Sequence, residues 1–244
     1  MRVDNLTIAL RPRPMAEAAD LGAALVRQHA GSVWKTFLPL YAVVLALLLS
    51  TVEIAAWLPG LLLFCAKPWL DRSLLFVLSR AVFGEPTRWA DLWAQRRTVW
   101  GGQLLRSLFW RRLSPWRSFT QPIEQLEGQR GSARRKRRKQ ILHGRGSAAT
   151  ALQFAYANVE MALCFALSSV ALWFTPQGDF LKLLEWVALP QSIWPSVWTF
   201  CGYALVVGLL EPFYVAGGFA MYLNRRVELE AWDIEQEFRR AFAA

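Results

Sequence analysis

Histidine and cysteine are scarce in this chain, with two and three residues among 244. So few possible ligands, so widely spaced, exclude a disulfide framework and leave no zinc-type spacing. Cys65, Cys164 and Cys201 each fall inside an apolar run, where a thiol ordinarily behaves as a small buried hydrophobe. His29 and His143 lie in basic segments with no third ligand nearby, so neither reads as a metal ligand or general base. Catalytic signatures are missing as well: there is no Walker loop, no Gly-x-Ser-x-Gly elbow and no His-Glu-x-x-His pair. The expectation is a non-enzyme with no catalytic residue, no metal and no cofactor.

Charge is also in short supply. Charged residues make up 19% of the chain, against about a quarter in soluble domains. Apolar residues reach 55%, and there are 13 tryptophans. The apolar residues are gathered into long runs. About twenty residues at about 1.5 Å each cross a hydrocarbon core about 30 Å thick. Runs of that length predict an all-α fold: a polytopic helical membrane bundle of about four spans in two hairpins, with amphipathic surface helices.

Residues 1–35 read as an amphipathic N-terminal segment without a signal-peptide core. A helix is expected over 14–31, opened by Pro14 and lying at the membrane surface, with Trp34 and Lys35 at the headgroup boundary. Residues 36–83 form the first hairpin. Its first span runs from Thr36 to Trp57 and turns at Leu58-Pro59-Gly60. The return run, Leu61 to Phe83, contains Lys67, Pro68, Asp71, Arg72 and Arg80. It reads as a crossing broken or kinked at Pro68, or else as a re-entrant segment followed by a surface helix. Residues 148–223 form the second hairpin, with spans from Ala148 to Phe174 and from about Ser196 to Tyr222. The last helix is expected to continue into an amphipathic segment, 224–244.

Between the hairpins, residues 84–147 hold most of the charge of +10. From Glu85 to Gly146 there are fifteen Lys/Arg against four acids, which predicts a loop that stays in the cytosol. Trp89, Leu92, Trp93, Trp100, Leu104 and Leu108 recur at helical spacing, predicting interfacial helices with a break near Gly101-Gly102. The densest run, Arg134, Arg135, Lys136, Arg137, Arg138 and Lys139, is assigned to anionic lipid headgroups. Each basic residue near such a surface contributes about 1 kcal/mol. No nucleic acid is expected, because the run has no aromatic platform beside it. The N-terminus, this loop and Arg225/Arg226 are basic, whereas the connections near Pro59 and from Thr175 to Pro195 are not. Short basic loops remain cytoplasmic, so four crossings with both termini inside satisfy all three segments.

Six ionisable residues fall at membrane depth: Glu53, Lys67, Asp71, Arg72, Glu160 and Glu211. Such groups are functional candidates, because free charge in lipid costs several kcal/mol. Counting from the turns brings Glu53 within one helical turn of Lys67, and Glu160 level with Glu211 and within reach of Arg72. Either these are ion pairs that pin the bundle, or they line a cavity for an ion, a proton or a lipid headgroup. In the second case, a carboxylate pair could share a proton.

Several stretches carry a resemblance. They are Ala66-Lys67-Pro68-Trp69-Leu70-Asp71-Arg72, Leu78-Ser79-Arg80-Ala81-Val82-Phe83-Gly84, Arg111-Arg112-Leu113-Ser114-Pro115, Gln125-Leu126-Glu127-Gly128, and Glu211-Pro212-Phe213-Tyr214-Val215 through to Glu235. Together they resemble the N-terminal membrane region of a bacterial inner-membrane family. Its members usually carry a C-terminal transglutaminase-associated domain of unknown function. They are encoded near MoxR-type AAA ATPases and von Willebrand A-like proteins. The resemblance implies the bacterial inner membrane and a protein partner from a MoxR-type system; it supplies no catalytic residue. The expected function is a scaffold or assembly subunit that presents a basic cytoplasmic platform, with Trp232, Ile234 and Phe238 as the docking stripe. The alternative is a small transporter or lipid-handling protein that uses the buried charges.

Overall fold

The computed structural model describes residues 12–101, 114–170, 181 and 193–230, and every regular element among them is helical. In chain order these are α1 (Met15–Gln28), α2 (Ala30–Leu49), α3 (Leu58–Ala81), α4 (Trp89–Ala94), α5 (Arg96–Trp100), α6 (Arg117–Gln125), α7 (Gly131–Leu142), α8 (Gly146–Val170) and α9 (Trp194–Glu230). Three of them, α2, α8 and α9, are long and apolar enough to cross a membrane. Helix α3 has 24 residues, enough to span, but carries the four charges noted above.

α9 is the spine. Its 37 residues extend about 55 Å, well beyond a hydrocarbon core of about 30 Å. Helices α1, α2, α3, α6, α7 and α8 all touch it. Small residues let them approach closely. A Cβ added at Gly22 of α1 would collide with the Ala216 carbonyl, and one at Gly218 would collide with Ser118 of α6. One at Gly208 would come within 2.9 Å of the Tyr41 ring of α2. Tyr41 also donates its hydroxyl to the Ala204 carbonyl at 2.7 Å.

Large apolar side chains are left uncovered on the three membrane-length helices. They include Val43 and Leu47 of α2, Phe154 and Phe165 of α8, and Trp198 and Leu205 of α9. Apolar surface of this kind is costly in water and suits contact with lipid. One face of the beginning of α2 (Val33, Thr36, Phe37, Leu40 and Tyr41) and the second halves of α3 and α9 are instead buried against protein.

Several expectations are corrected here. The helix opened by Pro14 is present, and one face of α1 is packed against protein. It buries Met15, Ala18, Gly22, Leu25 and Val26, chiefly against α9, because its Ala/Gly face fits the small-residue face of α9. The first span is displaced: α2 starts at Ala30, so Trp34 and Lys35 lie inside the helix, and residues 50–57 form turns. Ser32 and Thr36 anchor that start by donating to the Thr87 carbonyl at 2.9 and 3.1 Å.

α3 runs unbroken through Pro68. A proline removes one helical hydrogen bond, but burial from Lys67 to Ser79 holds the helix on both sides. Within the basic segment α5 ends at Trp100, next to Gly101 as expected. Two elements were unforeseen, α6 and α7; residues Arg117 to Ile123 of α6 are buried, so this part of 84–147 belongs to the core and not to a loop. The last helix does continue, reaching Glu230 without interruption. Leu104, Leu108 and most of the Thr175–Pro195 connection lie outside the described residues, as do Trp232, Ile234 and Phe238.

Candidate functional site: a buried chain of ion pairs

Five ionisable side chains from four helices form a linear chain inside the protein. Lys67 Nζ of α3 donates to Glu160 Oε2 of α8 at 2.6 Å and lies 3.2 Å from Glu211 Oε2 of α9. The other oxygen of Glu211 accepts from Arg117 Nη2 of α6 at 2.5 Å. Arg117 Nε in turn lies 3.0 Å from Asp71 Oδ2 of α3. Lys67, Asp71, Arg117 and Glu211 are all below 5% exposed. Aromatic rings close the flanks: Arg117 lies 4.9 Å from the Tyr214 ring and Lys67 lies 5.8 Å from the Tyr203 ring. The Tyr214 hydroxyl donates to Gln153 of α8 at 2.5 Å and accepts from the Ser118 amide at 3.3 Å.

Helix geometry explains the assembly. Lys67 and Asp71 are four residues apart and share a face of α3, so they reach Glu211 and Arg117 from the same side. Arg72 points elsewhere. Its Nε donates to the Val99 carbonyl at 2.5 Å, and its Nη1 lies 3.5 Å from Glu124 of α6. Glu124 also meets Arg134 of α7 at 3.3 Å.

A second network joins the basic helix α7 to the end of α9. Arg137 makes a bidentate contact with Glu127, at 2.9 and 3.0 Å, and also donates to Glu230. Tyr222 donates to Glu127 at 2.6 Å, and Arg226 donates to Glu230 at 2.5 Å. Glu228 meets Arg145 at 2.9 Å and Arg225 at 2.6 Å. Burial works against the charge on Arg137, but the hydrogen bonds it donates to Glu127 and Glu230 hold its guanidinium above the ordinary value. Arg138 shifts down, through burial and then through the neighbouring Arg134; it lies 5.2 Å from the Trp116 ring.

The expected site residues therefore separate. Lys67, Glu160, Glu211 and Asp71 come together, while Arg72 joins a neighbouring pair in place of Glu160 or Glu211. Glu53 does not meet Lys67: it is exposed in the turn segment 50–57, because α2 ends too early to bring it level. The six-residue basic run splits by face. Arg134, Arg137 and Arg138 turn inward to Glu124, Glu127 and Trp116, and Arg135, Lys136 and Lys139 remain exposed.

Sequence reasoning missed Arg117 and Glu124, both counted only as loop charge. The signal was present: Trp116, Phe119, Thr120 and Ile123 recur at three- and four-residue spacing, the stripe of a helix buried on one face. Among the described residues no group of His, Cys, Asp and Glu is arranged to hold a metal ion.

Fold and site define a class, an all-helical protein with membrane-length helices and an internal ion-pair core. Comparison with protein-family models, with curated proteins and with solved structures found no match in any of the three.

Proposed function

We propose that this chain is a non-catalytic scaffold or assembly subunit of the bacterial inner membrane that presents a basic cytoplasmic platform to a protein partner. The observation that carries this reading is the unbroken course of α9 from a first half with exposed apolar side chains into a second half packed with α1, α6 and α7. The ion pairs Arg137–Glu127, Arg137–Glu230 and Arg145–Glu228 lock that layer. Rigid support of this kind preorganises a surface and lowers the entropic cost of docking. The exposed cations Arg135, Lys136 and Lys139 lie on it. They suit anionic headgroups close to the membrane, or an acidic partner face. α3 supplies a fourth crossing in this reading, both termini are cytoplasmic, and the partner belongs to a MoxR-type ATPase system.

The test is native purification from membranes with identification of stoichiometric proteins. Polar replacement of Trp232, Ile234 and Phe238 is expected to abolish recovery of the partner while insertion is unaffected. Recovery of the chain alone, or of the same protein with the variant, would overturn the reading.

One observation favours the alternative, a lipid-handling or transport protein. A cleft of about 440 Å³ opens between α8 and α9, lined by Cys164, Leu167, Trp198 and Leu205 among others. It begins one helical turn from Glu160, so an acyl chain held there would lie near the ion chain. Copurified lipid retained by wild type and lost on Gly202→Leu would support that reading over the scaffold.

A further inference from the structure

Helix α7 carries six cations in an unbroken run, Arg134 to Lys139, and no acid. Cations three or four residues apart on a helix repel one another. The helix is attached unevenly. Of its twelve residues only Ile141 is buried, with Leu142 half-buried beside it, so its apolar anchor lies at the C-terminal end. The turns before that anchor are held by charge: Arg134 to Glu124, Arg137 to Glu127 and Glu230, and Arg138 over the Trp116 ring. Arg134 and Arg137 remain 24% and 19% exposed. Water and ions reach such pairs, which are the weakest kind and the most readily exchanged. Each of the three acids also has a second partner away from α7. Glu124 meets Arg72, Glu127 accepts from Tyr222, and Glu230 accepts from Arg226, so departure of α7 strands no carboxylate. Gly128, Gly131 and Gly144 flank the helix at positive φ (66°, 58° and 69°) with open space around each. Both ends can therefore change direction without a steric penalty.

Only residues 143–145 separate α7 from α8. The 25 residues of α8 extend about 38 Å, against a hydrocarbon core of about 30 Å. A basic cluster directly before such a helix lies at the level of the headgroups, where an anionic leaflet attracts it. We propose that α7 is a hinged ionic strap, closed on Glu124, Glu127 and Glu230 beside a neutral bilayer and opened by anionic lipid headgroups that compete for its arginines. Arg135, Lys136 and Lys139, exposed on the outer face, make the first contact. Phosphate oxygens then replace the Glu127 carboxylate in the bidentate contact with Arg137. The helix pivots about its anchored end at Ile141 and Gly144, and the end of α9 keeps its own pairs. This inference goes beyond the platform reading and needs no protein partner. It rests on α8 lying in the bilayer, which reconstitution checks separately.

Distance measurement between two spin labels on the full chain in nanodiscs tests it. The labels are placed by Ser132→Cys in α7 and Ala16→Cys in α1, both exposed positions, in a background lacking the three native cysteines. In phosphatidylcholine a single distance is expected. In nanodiscs rich in phosphatidylglycerol a second, longer distance should become the major population. Adding Arg137→Gln removes the contacts to Glu127 and Glu230, and should open the strap at a lower phosphatidylglycerol content than the otherwise unchanged chain requires. The same single distance in both lipids overturns the proposal. Opening by soluble poly-glutamate in phosphatidylcholine, without opening by phosphatidylglycerol, overturns it too, because the strap would then answer to an acidic protein face. A chain that does not enter nanodiscs at all would overturn both this proposal and the membrane reading beneath it.

Discussion

Arg117 and Glu211 meet at 2.5 Å across 94 residues of sequence, joining a short helix of the basic segment to the helix that runs the length of the molecule. The contact sits at the junction of the ion chain and is buried on both sides. Breaking a buried pair by removing one partner typically costs about 3–5 kcal/mol, because the remaining charge stays buried. Arg117→Met is therefore expected to lower the unfolding free energy in detergent by about 3–5 kcal/mol. Lys139→Ser, at an exposed position of α7, should leave it within about 0.5 kcal/mol. Equal effects of the two changes would show that α6 is not held by this pair.

The approach of α1 to α9 depends on Gly22. Any side chain there meets the Ala216 carbonyl, whereas Gly31 at the start of α2 has open space around it. Overpacking of this kind costs about 1–3 kcal/mol. Gly22→Val is expected to release α1, seen as faster proteolysis at the N-terminal segment. Gly31→Ala should be neutral or stabilising by up to about 1 kcal/mol. A Gly22→Val protein as protease-resistant as wild type would mean the two helices can separate without consequence.

Asn224 fastens the entry of α1. Its Oδ1 accepts from the Arg13 amide and its Nδ2 donates to the Arg13 carbonyl, each at 2.9 Å. Asn224→Leu removes both bonds and leaves two backbone groups in a part-buried position, at a cost of about 1–3 kcal/mol. Hydrogen exchange at the Arg13 amide should accelerate at least tenfold, with exchange in the middle of α9 unchanged.

Sidedness is open to direct measurement. In a background lacking Cys65, Cys164 and Cys201, Lys136→Cys and Trp57→Cys place a thiol at two exposed positions. A membrane-impermeant maleimide should label Lys136→Cys from the cytoplasmic face alone and Trp57→Cys from the opposite face alone. Labelling of both from the same side would remove the four-crossing arrangement.

Much of the fold was legible because long apolar runs and clustered charge act locally. The helical class, the spans of α8 and α9, and the continuation of α9 past Tyr222 follow from residues close to one another in sequence. What could not be read depends on partners distant in sequence. Pro68 looked like a break because its cost is local, while the burial that overrides it comes from α6 and α9. The Glu53–Lys67 pairing rested on counting from a turn at residues 58–60, and α2 ends at Leu49. Arg117 was concealed among fifteen basic residues whose number, and not their phase, drew attention.

The sequence by itself determined that this protein is helical, that it carries apolar runs long enough to exchange water for lipid, and that acids and bases lie among those apolar residues. Those properties are additive along the chain. Which charge meets which was decided only by the tertiary structure. In a low-dielectric interior the energy of an ionised group depends on atoms within a few ångströms, and folding brings those atoms from α3, α6, α8 and α9.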